Sequence, residues 1–107
     1  KDGTGARDYI HIEDLVEGHI SAIDFVKTFS GSTAFNLGTG NSITVLELIK
    51  KFENVNNIKI PLTFEKRREG DVAECYADPA KAQKILNWKA KKTLEEMCKS
   101  SWKPFLK

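Results

Sequence analysis

Apolar residues recur at helical spacing in the stretch that begins at Ile12. Seven positions would fall on one face of an α-helix: Ile12, Leu15, Val16, His19, Ile20, Ile23 and Val26. Glu13 and Asp14 would lie in the first turn, where the helix dipole favours negative charge. The pattern therefore predicts a helix with one apolar face that ends before Ser30-Gly31-Ser32.

Local capping signals predict three further helices. Thr44 with Glu47, and again Thr93 with Glu96, follow the S/T-x-x-E pattern of a capping box. Asp78-Pro79 is typical of an N-cap followed by proline at the first helical position. The residues expected to face the interior are Val45, Leu48, Ile49 and Phe52 in the first of these helices, Ala82, Ile85 and Leu86 in the second, and Leu94, Met97, Cys98 and Trp102 in the third.

Four short segments outside the predicted helices are interpreted as strands. They are Arg7–Ile10, Ala34–Leu37, Ile60–Phe64 and Glu74–Ala77. A charged loop, Lys66–Asp71, separates the last two. The order is β-α-β-α-β-loop-β-α-α, which is typical of the α/β class. Because the strands are few and short, we expect them to be part of a larger sheet.

Composition narrows the class further. The 107 residues are 40% hydrophobic and 30% charged, with a formal net charge of +2, as in one small globular domain. So balanced a charge favours neither nucleic acid nor a membrane surface as a partner. Cys75 and Cys98 form no C-x-x-C pair and predict a cytoplasmic protein with free thiols. The chain begins with Lys1 rather than Met, and we expect it to be part of a longer protein.

The arginines are the first candidate binding residues. Arg7, Arg67 and Arg68 are the only arginines among 17 basic residues, and each lies near glycine or in a loop. Guanidinium groups bind phosphate oxygens in a bidentate manner that lysine cannot match. Asp71 could accept hydrogen bonds from sugar hydroxyls. On local pattern alone, ordinary surface ion pairs explain the arginines equally well, and a turn-capping role explains Asp71 somewhat better than sugar binding.

Other candidates favour structural roles. The Gly38-Thr39-Gly40 sequence lacks the third glycine of a dinucleotide-binding loop and is interpreted as a turn before a helix. His11 and His19 do not have metal-ligand spacing, and no metal is expected. His19 is interpreted as a packed or hydrogen-bonded helix residue.

Five motifs together resemble a known enzyme family. They are DGTGARDYIHIEDL (Asp2–Leu15), FNLGTG (Phe35–Gly40), RREGDVA (Arg67–Ala73), YADPAKA (Tyr76–Ala82) and LNW (Leu86–Trp88). In this order and spacing they resemble the C-terminal third of UDP-glucose 4-epimerases, which are extended short-chain dehydrogenases/reductases. The resemblance covers essentially the whole chain, and RREGD favours the epimerases over related nucleotide-sugar dehydratases and decarboxylases.

The resemblance implies a fold and a site. The family has a Rossmann-type NAD domain and a smaller C-terminal substrate-binding part, to which residues 1–107 would belong. By position, Arg7 and Arg68 correspond to the arginines that bind the UDP pyrophosphate, and Asp71 to the carboxylate on the ribose. Glu69 and Gly70 shape the same loop. One further residue, Cys75, corresponds to a position beside the sugar that is often tyrosine.

Two family features are not found in these residues. The glycine-rich NAD loop is absent, and no Tyr-x-x-x-Lys pair is present: Glu13 follows Tyr9 by four residues, and Ala80 follows Tyr76. We therefore expect the chain alone to lack a catalytic base and to be inactive. NAD would be bound by an N-terminal part outside these residues. The alternatives are a segment of a related dehydratase or decarboxylase, and a non-catalytic nucleotide-binding fragment.

The resemblance also implies partners. They are the UDP-sugars UDP-glucose and UDP-galactose, with UDP-N-acetylglucosamine as a further candidate. The family is typically homodimeric, and no nucleic acid or membrane partner is expected.

Overall fold

The computed structural model describes residues 3–106 of the chain. Its elements, in order, are β1 (Ala6–Arg7), α1 (Ile12–Val26), β2 (Ile43–Thr44), α2 (Val45–Asn56), a π-helical segment (Ala82–Leu86), α3 (Leu94–Trp102) and a 3-10 turn (Lys103–Phe105). None of the helices within this part of the chain combines the length and the apolar character that crossing a bilayer requires.

The predicted helix starts are confirmed. Both capping boxes are complete, because Thr44 and Thr93 accept from the backbone N–H of Glu47 and Glu96, whose carboxylates accept in return. Helix α2 continues through Asn56 and is capped by Asn57, which has a left-handed φ of 53°.

The helix after Asp78-Pro79 differs from the prediction in type. The Asp78 carboxylate caps the backbone N–H of Ala80 at 3.1 Å, as expected. The chain then widens into a π-helical segment, because the N–H of Asn87 donates to the carbonyl of Ala82 five residues earlier. Of the three residues expected to face inward, Ala82 is buried, Leu86 is half-buried and Ile85 is 48% exposed.

The strand predictions are mostly wrong. Within the described residues, 34–37 and 60–64 form no strand, and the first strand is Ala6–Arg7 rather than Arg7–Ile10. Residues 74–77 contribute only an isolated parallel bridge from Glu74 to Ala6. A strand needs a partner for its ladder of hydrogen bonds, and the described chain brings none alongside these segments.

The small sheet joins three distant parts of the chain. Strands β1 and β2 pair antiparallel, with Ala6 opposite Thr44 and Arg7 opposite Ile43. On the other side of β1, the Glu74 bridge adds the third segment. Ala6 is buried at this junction. The short strand β1 therefore holds both flanking segments in place.

Packing between α1 and the C-terminal half depends on Trp88. Its side chain is 4% exposed, and its indole Nε1 donates to the Asp14 carbonyl at 2.9 Å. The buried Asp14 carboxylate also accepts from the backbone N–H groups of Lys91 and Lys92, at 3.0 and 2.8 Å. This aspartate therefore fixes the chain before α3 against the first turn of α1.

Helices α2 and α3 pack against each other near their C-terminal ends. The rings of Phe52 and Trp102 meet edge to face with centroids 5.9 Å apart. The Asn56 amide donates to the carbonyl of Cys98 at 3.1 Å, and Cys98 is buried as predicted.

The apolar face predicted for α1 is present but is exposed to solvent. Its exposed residues include Ile12 at 64%, Ile20 at 55% and Val26 at 61%. In contrast, the buried positions of α1 are Asp14 and Gly18. The hydrophobic pattern therefore predicted the helix correctly, whereas the expectation that this face is buried is not met within residues 3–106.

Candidate functional site

The backbone of Ala6 brings two predicted site residues together. Its N–H donates to the carbonyl of Ala73 at 2.8 Å, and its own carbonyl accepts from the N–H of Cys75 at 2.9 Å. Because Arg7 is the next residue along β1, these bonds place its backbone beside that of Cys75. The Cys75 thiol is free and its residue is exposed.

Arg7 is half-buried and has a partner on its own strand. Its Nη1 donates to the Ala6 carbonyl at 2.8 Å. One bond of this kind engages a single edge of the planar guanidinium, which has five N–H donors. The remaining donors can serve an oxyanion.

The charged loop places the other predicted residues close together. Arg68 Nε lies 2.8 Å from Asp71 Oδ2, and Arg67 donates to the Asp71 carbonyl at 2.7 Å. Gly70 has a φ of +86°, in the left-handed region that a side chain would strain. Glu69 is exposed at the same turn. The ion pair between Arg68 and Asp71 therefore spans a tight turn at Gly70.

The six predicted residues form two groups. Arg7 and Cys75 meet at the junction around Ala6, whereas Arg68, Glu69, Gly70 and Asp71 share the loop that leads into it. Among residues 3–106, no hydrogen bond or ion pair given by the structure links Arg7 to that loop. An anion that engaged Arg7 and Arg68 together would be a bridge between the two groups.

Two clefts flank these elements. One of about 440 Å³ lies beside the junction and is lined by Thr4, Ala6, Ser42, Thr44, Glu47, Ala73 and Glu74. A larger cleft of about 560 Å³ lies between the ends of α2 and α3, and its walls include Val55, Lys99 and Trp102. None of the six predicted residues lines either cleft. The smaller cleft lies beside two of them, because its wall includes Ala6 and Glu74, the chain neighbours of Arg7 and Cys75.

The Gly38-Thr39-Gly40 turn cradles a carboxylate of the protein itself. Asp8 accepts from the backbone N–H groups of Thr39 and Gly40, at 3.0 and 2.9 Å, and from the Thr39 hydroxyl at 2.6 Å. A Cβ at Gly38 would lie 2.6 Å from Asp8 Oδ2, so only glycine allows this approach. Since these donors are already engaged, the turn does not fit the pyrophosphate of NAD. Its interpretation as a structural turn is supported.

Both histidines have hydrogen-bond partners within the protein. His11 Nδ1 accepts from the N–H of Glu13 at 3.0 Å and caps α1, while Nε2 lies 3.0 Å from the Ser100 hydroxyl. His19 Nδ1 lies 2.8 Å from the Leu15 carbonyl, which confirms a hydrogen-bonded helix residue. Within residues 3–106 there is no cluster of three or more potential metal ligands.

The titratable groups with shifted pKa values belong to the helices rather than to this site. Burial raises the pKa of the Cys98 thiol, which keeps it protonated and unreactive. The backbone N–H of Thr93 lowers the pKa of Glu96 by donating to its carboxylate. Both shifts follow from packing and capping.

Sequence reasoning missed Asp8. Asp8 lies within the longer motif Asp2–Leu15, and the signal that could have identified it is the Gly-Thr-Gly turn, whose backbone N–H groups an anion can approach. The structure supplies that anion from Asp8, the residue that directly follows β1.

Comparisons with known proteins show which family the chain belongs to. The family model described as GDP-mannose 4,6 dehydratase matches residues 1–101. The UDP-glucose 4-epimerase of Bacillus subtilis (strain 168) is 54% identical over 103 residues, which cover 96% of this chain and 30% of that protein.

Solved structures give the same result. The UDP-glucose 4-epimerase from Bifidobacterium longum, in complex with NAD+ and UDP, matches with a TM-score of 0.88 and 49% identity over 94% of this chain and 30% of its own. The enzyme from Stenotrophomonas maltophila, with bound NAD and formylated UDP-arabinopyranose, matches with a TM-score of 0.90 and 43% identity over 95% of this chain and 30% of its own.

The chain spans about 30% of the length of these relatives. Their fold is the Rossmann-type fold of the extended short-chain dehydrogenases/reductases, and this chain corresponds to a C-terminal fragment of it. The resemblance predicted from the motifs and the predicted fold class are thus confirmed. The chain belongs to the GDP-mannose 4,6-dehydratase family of extended short-chain dehydrogenases/reductases and is similar, over almost its whole length, to the C-terminal part of UDP-glucose 4-epimerases.

Proposed function

We propose that residues 1–107 form the nucleotide-sugar-binding part of an NAD-dependent UDP-glucose 4-epimerase. The observation that carries the proposal is the pair of hydrogen bonds at Ala6, which places Arg7 beside Cys75 although the two residues are far apart in sequence. The relative from Bifidobacterium longum, which contains UDP and NAD+, supports the same assignment.

The arginines bind the pyrophosphate in this proposal. Arg7 and Arg68 each present a planar fork of N–H donors, and two such cations offset the charge of a diphosphate. Arg68 forms an ion pair with Asp71, but its side chain is 84% exposed. Since an exposed ion pair contributes at most about 1 kcal/mol, a phosphate can displace the carboxylate at little cost.

The carboxylate of Asp71 binds the uridine ribose. An ionised carboxylate accepts hydrogen bonds only, and a ribose offers two hydroxyl donors. Glu69 and Gly70 hold the turn on which Asp71 lies, and the glycine lets the backbone approach the nucleotide. The loop thus orients the nucleotide, while the segment that ends at Cys75 faces the sugar.

The chemistry itself is assigned to residues outside this chain. The catalytic base and the NAD loop belong to an N-terminal part, and NAD, when bound there, supplies the acceptor for a hydride from the sugar. The residues of this chain bind and orient UDP-glucose or UDP-galactose. The complete protein is expected to be a cytoplasmic homodimer.

The test compares the complete protein that carries these residues with the isolated chain. We expect the complete protein, supplied with NAD, to convert UDP-galactose into UDP-glucose, measured by a coupled UDP-glucose dehydrogenase assay. The isolated chain should show no turnover. Turnover by the isolated chain would contradict the division of roles. A complete protein that instead forms a 4-keto-6-deoxy sugar would assign it to the dehydratases.

A further inference from the structure

Asp8 carries a carboxylate on which two separate segments of the chain converge. Besides the Gly38-Thr39-Gly40 turn, it accepts from the backbone N–H of Ala77 at 3.2 Å. Within residues 3–106, no Lys or Arg lies within ion-pair distance of it, so its charge is met by hydrogen-bond donors alone. Such a carboxylate organises the backbone around it, because each N–H donates towards a fixed point.

The bonds of Ala6 and Asp8 lie on either side of Arg7. Ala6 holds residues 73 and 75 through its backbone, and Asp8 holds residue 77 through its side chain. The segment that contains Cys75 is therefore fixed at two places by the two neighbours of Arg7. The distance between the arginine and this segment depends on both.

We infer that Asp8 is a positioning residue of the nucleotide-sugar site. Its carboxylate sets the spacing between Arg7 and the Cys75–Ala77 segment by tying Ala77 to β1 and to the turn at Thr39 and Gly40. This inference rests on the function proposed above. Asp8 does not touch the substrate, and it acts through the backbone of the segment that joins Ala77 to Cys75.

Asp14 provides a matched control. Like the half-buried Asp8, the buried Asp14 accepts from backbone N–H groups, here those of Lys91 and Lys92. Its bonds join α1 to the chain before α3, away from Arg7 and Cys75. If the role of Asp8 were only to stabilise the fold, the Asp8→Asn and Asp14→Asn variants would have the same effect on substrate binding.

The experiment uses the complete protein with bound NAD. In the Asp8→Asn variant, an amide nitrogen replaces one carboxylate oxygen and faces backbone N–H donors. The hydrogen bond from the Ala77 N–H to residue 8 is then weakened or lost. Because Arg7 and Cys75 contact the substrate before and during reaction, we expect KM for UDP-glucose to rise about tenfold with kcat changed less than about threefold. NAD content should remain that of the wild type. Asp14→Asn should lower the melting temperature and leave KM unchanged.

A second variant keeps the inference testable if Asp8→Asn does not fold. Thr39→Val removes the hydroxyl that donates to Asp8 and preserves both backbone donors. A smaller rise of KM in the same direction is expected, and an unchanged KM in whichever of the two variants folds overturns the inference.

The binding of UDP to the wild type separates this inference from the proposed function. If the wild-type protein binds no UDP, the proposed function and the positioning role of Asp8 are both wrong. If it binds UDP and the Asp8 variants bind UDP and UDP-glucose equally well, only the positioning role is wrong. Equal KM effects in the Asp8 and Asp14 variants would also contradict it, because the role would then be general stability.

Discussion

Arg68 and Asp71 form an ion pair across a single turn, with Nε 2.8 Å from Oδ2. In the proposed function these two side chains bind different parts of one nucleotide, the pyrophosphate and the ribose. In the structure they bind each other. The proposed function therefore requires the nucleotide to replace this ion pair, whose arginine side chain is 84% exposed.

Replacing Arg68 by lysine tests the guanidinium directly. Arg68→Lys keeps the charge but loses the planar fork, so a bidentate contact with phosphate is no longer possible. A lost hydrogen bond to a charged group is worth about 1.5–3 kcal/mol, which is roughly a ten- to hundredfold weaker Kd. Calorimetric titration of the complete protein with UDP measures this change.

The neighbouring arginine is the control for this experiment. Arg67 donates to the backbone carbonyl of Asp71 and is assigned no contact with the nucleotide. Arg67→Lys should change the Kd for UDP by less than about threefold. If the two variants weaken UDP binding equally, or if Arg68→Lys has no effect, Arg68 is an ordinary surface residue.

The open face of α1 predicts how the isolated chain behaves. Ile20 and Ile23 are 55% and 59% exposed on one helix, and contiguous apolar surface of this kind promotes association. We expect the isolated chain to self-associate in sedimentation velocity experiments. Ile20→Gln should reduce the associated fraction, whereas Glu17→Gln, on the same helix, should not.

A stable monomer would contradict this prediction. The contradicting result is cooperative unfolding with a free energy of several kcal/mol that does not depend on protein concentration. It would show that the core stabilises the isolated chain even though the apolar face of α1 is exposed. The small number of buried hydrophobic residues, such as Trp88 and Cys98, argues against that outcome.

Helix starts were predictable because their causes are local. Each capping box joins two residues within one turn, Thr44 with Glu47 and Thr93 with Glu96, and the sequence contains both halves of the interaction. The strands had no such local cause. Residues 61–64 have a strand-like composition, but all are exposed in this chain because no neighbouring segment completes the hydrogen-bond ladder.

The prediction of the site rests on residue type and on the resemblance. Arginine in a glycine-containing loop indicated Arg68, a carboxylate after Gly70 indicated Asp71, and the resemblance implies a role for each. Asp8 was missed because its partners, at Thr39, Gly40 and Ala77, are distant in sequence. Hydrogen bonds of that kind depend on the whole fold.

The capping box of α3 predicts an acid dependence of stability. Donation from the Thr93 N–H lowers the pKa of Glu96 below its ordinary value of 4.5, and Lys92 lowers it further. A carboxylate with a lowered pKa in the folded state stabilises the fold above its unfolded pKa, and this stabilisation is lost as the pH falls through the folded pKa. The loss therefore occurs below pH 4.5.

Thermal unfolding of the complete protein at a series of acidic pH values measures this contribution. Glutamine can still accept from Thr93 but does not ionise, so the melting temperature of Glu96→Gln should depend less on pH than that of the wild type. Glu65→Gln, in the exposed loop, is the control and should follow the wild type. Identical pH profiles for all three proteins would show that the cap does not couple to stability.

Cys75 is expected to determine which sugars the complete protein accepts. The resemblance places it beside the sugar, at a position that is often tyrosine, and its residue is exposed at the junction with β1. A thiol is much smaller than a phenol, so the pocket should have room for the N-acetyl group of UDP-N-acetylglucosamine. The complete protein should therefore accept this substrate as well as UDP-glucose.

The Cys75→Tyr variant tests the size of this pocket. The phenol would clash with the N-acetyl group only, so kcat/KM should fall selectively for UDP-N-acetylglucosamine and remain near the wild-type value for UDP-glucose. Cys75→Ala, which keeps the space and removes the sulfur, should retain both activities. Since both variants keep the backbone bond to Ala6, a difference between them reports on side-chain volume. Equal losses for the two substrates in Cys75→Tyr, or no loss for either, would mean that Cys75 packs beside the strand without controlling access to the sugar.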